Sequence, residues 1–205
     1  MKPVWDIEQG LLNRGINIIA GVDEAGRGPW AGPVAAAAVI IPAGYVFKEQ
    51  IGDSKKLSLI KRQKAFKEIT ENCDYSYAVV SEKDIDKVNI LVASLNAMAI
   101  AISRLNQNPQ WVLVDGPHKP KIETNCTPII GGDAKSLSIA SASIVAKVTR
   151  DNLMLEYDKQ YPEYGFASHK GYGTKAHRQA IMKFGPCPIH RRSFQPIKGL
   201  LLSSV

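Results

Sequence analysis

Four carboxylates in the sequence stand where apolar runs give way to glycine. Each lies at the end of an apolar, β-branched run or in a glycine-flanked turn just beyond one, and open α/β sheets gather ligand-binding groups at such places. The four are Asp23, Glu24, Asp115 and Asp133. Acids drawn together repel one another unless some keep their protons or cations neutralise them. Carboxylate oxygens without His or Cys favour Mg²⁺ or Mn²⁺ over Zn²⁺.

A carboxylate-rich cation site on a basic protein indicates phosphodiester chemistry. The chain has 26 Lys and Arg against 19 Asp and Glu, a net charge of +7, and a pI near 9.3. This excess favours a polyanionic partner. In such sites two metal ions about 3.5–4 Å apart activate water and stabilise the leaving oxygen.

A glycine-rich bend follows the first acid pair. Gly26 and Gly28 let the backbone turn sharply and approach a ligand closely, and Arg27 between them can aim a guanidinium at a phosphate. Taken alone, the segment fits a solvated turn equally well. Because neighbouring strand residues point to opposite faces, Asp23 and Glu24 can share a site only where their strand ends.

Hydrophobic periodicity predicts the elements that must position these residues. Apolar, β-branched or aromatic runs predict strands at 17–22, 33–41, 75–81, 110–115 and 127–130. The first two are expected to form a hairpin-like pair. Helices are predicted at 59–70, 89–105, 136–159 and 175–183. Ser58 and Thr174 are the expected N-caps of the first and last of these. Residues 82–87 read as a charged linker or short turn, and the tail from Cys187 as basic and irregular.

Length and composition place the chain among soluble globular proteins. At 205 residues, 45% of them hydrophobic, it can bury the core of one α/β domain. Cys73, Cys126 and Cys187 are odd in number and far apart, which favours a reduced compartment. No uninterrupted apolar stretch of about 18 residues occurs. We therefore expect a cytoplasmic protein with no membrane partner.

Several segments closely resemble those of bacterial ribonuclease HII. They are GVDEAGRG at 21–28, DSKKLS at 53–58, VDG at 114–116, DAKS at 133–136, ASIVAKVTRD at 142–151, HKGYGT at 169–174 and GPCPIHRRSF at 185–194. The similarity spans roughly residues 17 to 198 in the family's order, with no departure at any motif position.

The resemblance implies an α/β, ribonuclease H-like fold with a central mixed β-sheet flanked by helices and a small C-terminal helical or irregular extension. We expect a single domain over 1–205, with a catalytic core at about 17–160 and a substrate-sensing extension at about 161–205. The implied activity is that of an endonuclease that cuts the RNA strand of RNA–DNA hybrids. It also implies cleavage 5′ of a single ribonucleotide embedded in duplex DNA, with 5′-phosphate and 3′-hydroxyl products.

The resemblance also implies roles for particular residues. The metal-binding and catalytic acids fall at Asp23, Glu24, Asp115 and Asp133, which would hold two Mg²⁺ or Mn²⁺ ions. The substrate-binding glycine-arginine-glycine element falls at Gly26, Arg27 and Gly28, and the substrate-sensing tyrosine at Tyr172. Arg27, Lys55, Lys56, Lys147, Lys170, Arg191 and Arg192 are candidate phosphate contacts.

Other polar residues in the matching segments are expected to be structural. Asp53 and Asp151 are expected to cap a helix or to pair with a neighbouring Lys or Arg. His118, His169, His177 and His190 lack ligand-like spacing, and a structural role is favoured for His169 over a phosphate contact.

Two other functions and several partner questions stay open at this point. One alternative is a related nuclease of the same fold that cuts branched DNA, and the other is a non-catalytic basic module that binds nucleic acid. We expect a monomer. A replication clamp is a candidate partner, but the tail 195–205 shows no clear clamp-binding motif.

Overall fold

A mixed five-stranded sheet forms the centre of the computed structural model, which describes residues 5–202. The strand order is β3-β2-β1-β4-β5. In chain order the strands are β1 Ile19–Ala25, β2 Val34–Ile40, β3 Asp74–Val80, β4 Trp111–Asp115 and β5 Asn125–Ile129. β1 pairs antiparallel with β2 and parallel with β4, and β4 pairs parallel with β5. The predicted mixed sheet and the hairpin-like first pair are confirmed.

Eight α-helices surround this sheet in the described chain. They are α1 Asp6–Leu12, α2 Leu59–Asn72, α3 Glu82–Val88, α4 Ile90–Ser103, α5 Leu137–Gln160, α6 Phe166–His169, α7 Lys175–Phe184 and α8 Ile197–Leu202. Ser58 caps α2 and Thr174 caps α7, as predicted. Within residues 5–202 no single helix is long and apolar enough to span a membrane, and α3 with α4 meets that requirement only as a pair bent by 119°.

Alanine and valine side chains of β2 let helices approach both faces of the sheet. All seven residues of this strand are buried. Alternate residues such as Ala36 and Ala38 pack with Ala97 and Met98 of α4, while Ala37 and Val39 pack with the α2 and α5 side. This alternation is the period-two pattern of a strand covered on both faces.

The C-terminal extension has an apolar cluster of its own, where an irregular tail was expected. Phe166, Ile181 and Ile197 are buried there against Met154 of α5 and Ala31 of the glycine bend. The extension is therefore packed onto the bend that follows β1.

The helix α3 replaces the linker expected at residues 82–87. Its N-cap Ser81 accepts a hydrogen bond from the Asp84 N–H at 3.2 Å. Glu82 and Asp84 lie in its first turn and Lys87 in its last, so the charges complement the helix dipole. Helices α1, α6 and α8 were also not predicted; each has seven residues or fewer, too few for periodicity to show.

Gly21 is required for the contact between β1 and α5. A Cβ atom there would overlap the backbone of Ser138 and Ile139. We predict that Gly21→Ala lowers the free energy of unfolding by about 3 kcal/mol, at the upper end of overpacking effects. Gly10→Ala is the matched control, because nothing lies within 4 Å of a Cβ there. Urea unfolding measures both, and equal midpoints for Gly21→Ala and the parent protein would contradict the packing argument.

Candidate active site

Adjacent parallel strands bring Asp23 and Asp115 together. Val22 lies opposite Val114 in the register of β1 and β4, so the next residues, Asp23 and Asp115, lie side by side and point to the same face. The Asp115 Oδ1 accepts a hydrogen bond from the Gly132 N–H at 2.6 Å. That bond ties the short 3-10 turn Gly132–Ala134, which carries Asp133, to the end of β4.

The four carboxylates share one electrostatic field. Burial raises the pKa of Asp23 well above its usual range, and the charges of Glu24 and Asp115 raise it further. Burial also raises the pKa of Glu24, with Arg27 opposing it and Asp115 adding to it. The pKa of Asp133 is raised by burial and then by Asp115. Asp115 is thus the common neighbour of the other three acids.

The donor chemistry of this group fits a hard divalent cation. Every candidate ligand is a carboxylate, and the raised pKa values indicate negative charge that a bound cation would neutralise. Within residues 5–202 no three His, Cys, Asp or Glu side chains converge closely enough to hold a metal ion as they stand. Binding a cation therefore requires these side chains to close around it.

The sequence led us to expect Glu24 just beyond the end of its strand, but the residue lies within β1. β1 continues through Glu24 to Ala25 because it pairs with β2 over that whole length. Strand alternation therefore starts the Asp23 and Glu24 side chains toward opposite faces, although the charge of Glu24 still reaches Asp23 and raises its pKa. The Glu24 Oε1 lies 3.4 Å from Arg27 Nη1, and Glu24 lines a cavity that Lys55 and Lys147 also line.

This cavity, of about 150 Å³, joins the glycine bend to Tyr172. Its lining consists of residues 24–28, Ser54, Lys55, Ser143, Lys147, Arg150 and Tyr172. A Cβ atom on Gly28 would lie 3.7 Å from the Tyr172 Cε1, so the ring lies next to the glycine. The structure thus brings Gly26, Arg27 and Gly28 together with Tyr172, although about 145 residues separate them in sequence.

Arg150 holds the glycine bend in place through buried hydrogen bonds. The residue is 1% exposed, and its guanidinium donates to the carbonyls of Ala31 at 3.2 Å, Pro33 at 2.9 Å and Lys170 at 3.1 Å. A Cβ on Gly26 would overlap this guanidinium group. Gly26 is therefore needed for packing against Arg150 as well as for its φ of +102°.

Arg191 binds the carbonyls of the same bend. The sequence predicted a phosphate contact for this residue, and the structure gives it a different role. It is fully buried and donates to the carbonyls of Gly26 at 2.6 Å, Arg27 at 2.9 Å and Gly32 at 2.9 Å. Burial, followed by the charge of Arg150, lowers the pKa of Arg191 to about 9. Each of its three nitrogens donates to a backbone carbonyl and the side chain has no exposed surface, so the structure contradicts the phosphate assignment.

Of the remaining basic candidates, Lys55 and Lys147 lie at the cavity. Lys55 is exposed on its wall. Lys147 Nζ lies 2.8 Å from Asp151 Oδ1, which confirms that Asp151 pairs with a neighbouring basic residue.

Lys56, Lys170 and Arg192 lie outside the cavity lining. Lys56 Nζ lies 3.3 Å from Asp53 Oδ2, as expected for Asp53. Lys170 Nζ donates to the Ala167 carbonyl. Arg192 is exposed.

Ser54, Ser143 and Arg150 are site residues that the sequence reasoning missed. The Ser54 and Ser143 hydroxyl oxygens are 2.9 Å apart, and a hydrogen bond from Ser143 opposes the rise in the pKa of Asp23. Ser143, Lys147 and Arg150 recur at helical spacing along α5. This polar stripe, three and four residues apart on one helix, was the available signal.

The fold and the site define a ribonuclease H-like nuclease: a mixed sheet with carboxylates at the ends of adjacent strands, beside a basic cavity. A family model described as ribonuclease HII matches residues 20–197. The chain belongs to the ribonuclease HII family. It is accordingly a divalent-metal-dependent endoribonuclease that acts on the RNA strand of RNA–DNA hybrids.

Individual relatives agree with this assignment. A ribonuclease HII of Ruminiclostridium cellulolyticum is 54% identical over 195 residues, covering 95% of this chain and 76% of that protein. One of Geobacter metallireducens is 49% identical over 199 residues, covering 96% and 92%. The crystal structure of ribonuclease H2 from Pyrococcus horikoshii superposes with a TM-score of 0.76 at 28% identity, covering 91% of this chain and 98% of that one.

Removing the Arg191 guanidinium should destabilise the protein. Arg191→Met would leave the carbonyls of Gly26, Arg27 and Gly32 without their donor, and each buried unsatisfied group costs about 1–3 kcal/mol. We predict a loss of at least about 3 kcal/mol in the free energy of unfolding, measured by urea denaturation. The neighbouring Arg192→Met, on an exposed side chain, should change it by less than about 0.5 kcal/mol. Equal effects of the two variants would refute the support role of Arg191.

Proposed function

We propose that the chain cuts duplex DNA on the 5′ side of a single embedded ribonucleotide, in addition to hydrolysing RNA–DNA hybrids. Asp23, Glu24, Asp115 and Asp133 would hold two Mg²⁺ or Mn²⁺ ions, and the products would be a 5′-phosphate and a 3′-hydroxyl. When bound, such ions supply an activated water and positive charge at the leaving oxygen. The observation that carries the proposal is the shared carboxylate field next to the cavity between Gly28 and Tyr172.

Recognition of the ribonucleotide is assigned to the backbone of the bend. The 2′-hydroxyl is the group that distinguishes RNA from DNA at a chosen nucleotide. Gly28 presents no side chain to the cavity, so backbone groups of the bend can approach a sugar closely. The two buried arginines hold the bend carbonyls and keep this surface in place before substrate arrives.

Tyr172 is assigned the opposite wall of the sugar site. Tyr172 is on the cavity lining and 41% exposed, with the Arg150 guanidinium carbon 6.0 Å from the ring centroid, so part of the ring is open to a ligand. Stacking on the neighbouring deoxyribose would reject a second 2′-hydroxyl at that position. Lys55 and Lys147 on the same lining are assigned to the flanking phosphates.

A substrate panel separates this function from cleavage of branched DNA. A branched-DNA nuclease of the same fold would not require a 2′-hydroxyl, whereas the site proposed here requires one. The panel therefore comprises a duplex with one ribonucleotide, the all-DNA duplex of the same sequence, a four-way DNA junction and an RNA–DNA hybrid. Cleavage of the junction in preference to the first substrate would favour the alternative.

Replacing a central carboxylate should abolish cleavage and spare binding. Asp23→Asn or Asp115→Asn removes a charge that a bound cation needs, and metal-ion catalysis contributes several kcal/mol, so we expect turnover to fall at least about 10³-fold. Hybrid affinity should change little, because Lys and Arg contacts to the backbone dominate it. Asp84→Asn, on an exposed ion pair in α3, is the control and should cleave normally. Near-normal turnover by either active-site variant would contradict the catalytic role assigned to these carboxylates.

Removing the Tyr172 ring should affect turnover more than folding. We expect Tyr172→Ala to lower kcat about tenfold or more on the single-ribonucleotide duplex, while Tyr172→Phe keeps the stacking face and most of the activity. Gel-based cleavage and urea unfolding measure the two effects separately. Unchanged kinetics in Tyr172→Ala would remove the tyrosine from the site.

A further inference from the structure

Three histidines lie beneath the Tyr172 loop, and the function proposed above does not use them. His177 and His190 are buried, at 0% and 1% exposure. The ring of His169 stacks on that of His177 with centroids 4.4 Å apart. Their spacing in sequence suggested no ligand role, so their common location beneath one substrate-facing residue needs another explanation.

The main chain of Tyr172 is held on both sides by this cluster. Its N–H donates to the His169 carbonyl at 2.9 Å, and its own carbonyl lies 2.9 Å from the Nδ1 of His177. The loop is also pressed onto the bend, since a Cβ on Gly173 would overlap the Trp30 ring. The same carbonyl also accepts from the Thr174 N–H at 2.8 Å, so the position of the tyrosine ring depends on this local turn and on His177 together.

The hydrogen-bond partners fix the tautomer of His177. A carbonyl oxygen can only accept, so the Nδ1 of His177 must donate to Tyr172. In a neutral ring its Nε2 must then accept. That atom lies 3.0 Å from the Nε2 of His190, which must therefore be the donor.

The hydrogen bonds between His190 and Cys187 require the same donor-to-acceptor direction. With Nε2 protonated, the Nδ1 of His190 must accept, and it lies 2.9 Å from the Cys187 N–H, which can only donate. The Cys187 carbonyl, at 3.2 Å, would suit the opposite His190 tautomer. That tautomer would set two lone pairs face to face between the rings, so the donor chain runs from Cys187 through His190 and His177 to Tyr172.

We propose that His177 and His190 are positioning residues, a relay of neutral imidazoles that fixes the Tyr172 carbonyl and thereby aims the tyrosine ring at Gly28. This inference rests on the proposed role of Tyr172 in recognising the ribonucleotide. Burial lowers the pKa of both histidines to about 4, so both rings are neutral in the pH range where the enzyme would work.

Imidazole ¹⁵N NMR tests the relay in the unmodified protein. At pH 7 we expect His177 as the Nδ1–H tautomer and His190 as the Nε2–H tautomer, with both assignments unchanged down to about pH 5.5. A charged ring at pH 7, or His177 carrying its proton on Nε2, would overturn the relay. This measurement needs no substrate and no variant.

Cleavage of the single-ribonucleotide duplex tests what the relay does. His177→Asn places an amide N–H where the Nδ1–H stands and should keep kcat within about twofold. His177→Phe fills the space without a donor, and losing this hydrogen bond should lower kcat about fivefold to tenfold. His118→Phe, on an exposed side chain, is the control and should not change kcat.

A double variant separates positioning from general damage. If His177 acts through Tyr172, the His177→Phe change should have little further effect on kcat in the Tyr172→Ala background. Multiplicative losses would mean a merely structural role and overturn the inference. Should His177→Phe fail to fold, the tautomers still decide whether the relay exists.

The outcomes also distinguish this inference from the function on which it rests. Normal turnover by Tyr172→Ala would overturn the role of the tyrosine and, with it, the purpose assigned to the relay. An impaired Tyr172→Ala beside a fully active His177→Phe would overturn the relay alone.

Discussion

Two buried guanidinium groups set the shape of the site. A cation removed from water is costly unless its donors are satisfied, and Arg150 and Arg191 are satisfied by backbone carbonyls from the bend and, for Arg150, from Lys170. The bend can move only by breaking several of these bonds together. Arg150 comes from α5 and Arg191 from the C-terminal extension, so the core and the extension are both hydrogen-bonded to the glycine bend. These hydrogen bonds keep Gly28 close to Tyr172.

The charges around this loop are divided by sign. The four carboxylates lie at the ends of β1 and β4 and in the turn beyond β5, where a cation would be stabilised. Lys55, Lys147 and the buried arginines lie on or behind the adjoining cavity, where a phosphate would be stabilised. Such a division suits a reaction whose substrate brings a polyanion to a metal-dependent centre. It also explains why the excess of positive charge in the chain is compatible with four clustered acids.

Sequence patterns predicted the sheet strands, the long helices α4 and α5 and the caps at Ser58 and Thr174, because these depend on local periodicity and capping chemistry. They did not predict that β1 continues through Glu24, because pairing with β2 decides that. Arg191 was misassigned for a related reason. A basic residue in an irregular tail gives no local sign that distant carbonyls enclose it. The roles of Asp53 and Asp151 were predictable, since their basic partners lie three or four residues away.

The most direct test of the central claim is a crystal structure of the protein with Mn²⁺ and a non-cleavable duplex that contains one ribonucleotide. The account predicts anomalous peaks for two ions among Asp23, Glu24, Asp115 and Asp133, with those side chains closed around them. It also predicts the 2′-hydroxyl against the backbone of Gly26–Gly28 and the Tyr172 ring on the neighbouring sugar. Metal density away from these carboxylates, or the ribonucleotide bound outside the cavity between Gly28 and Tyr172, would contradict it.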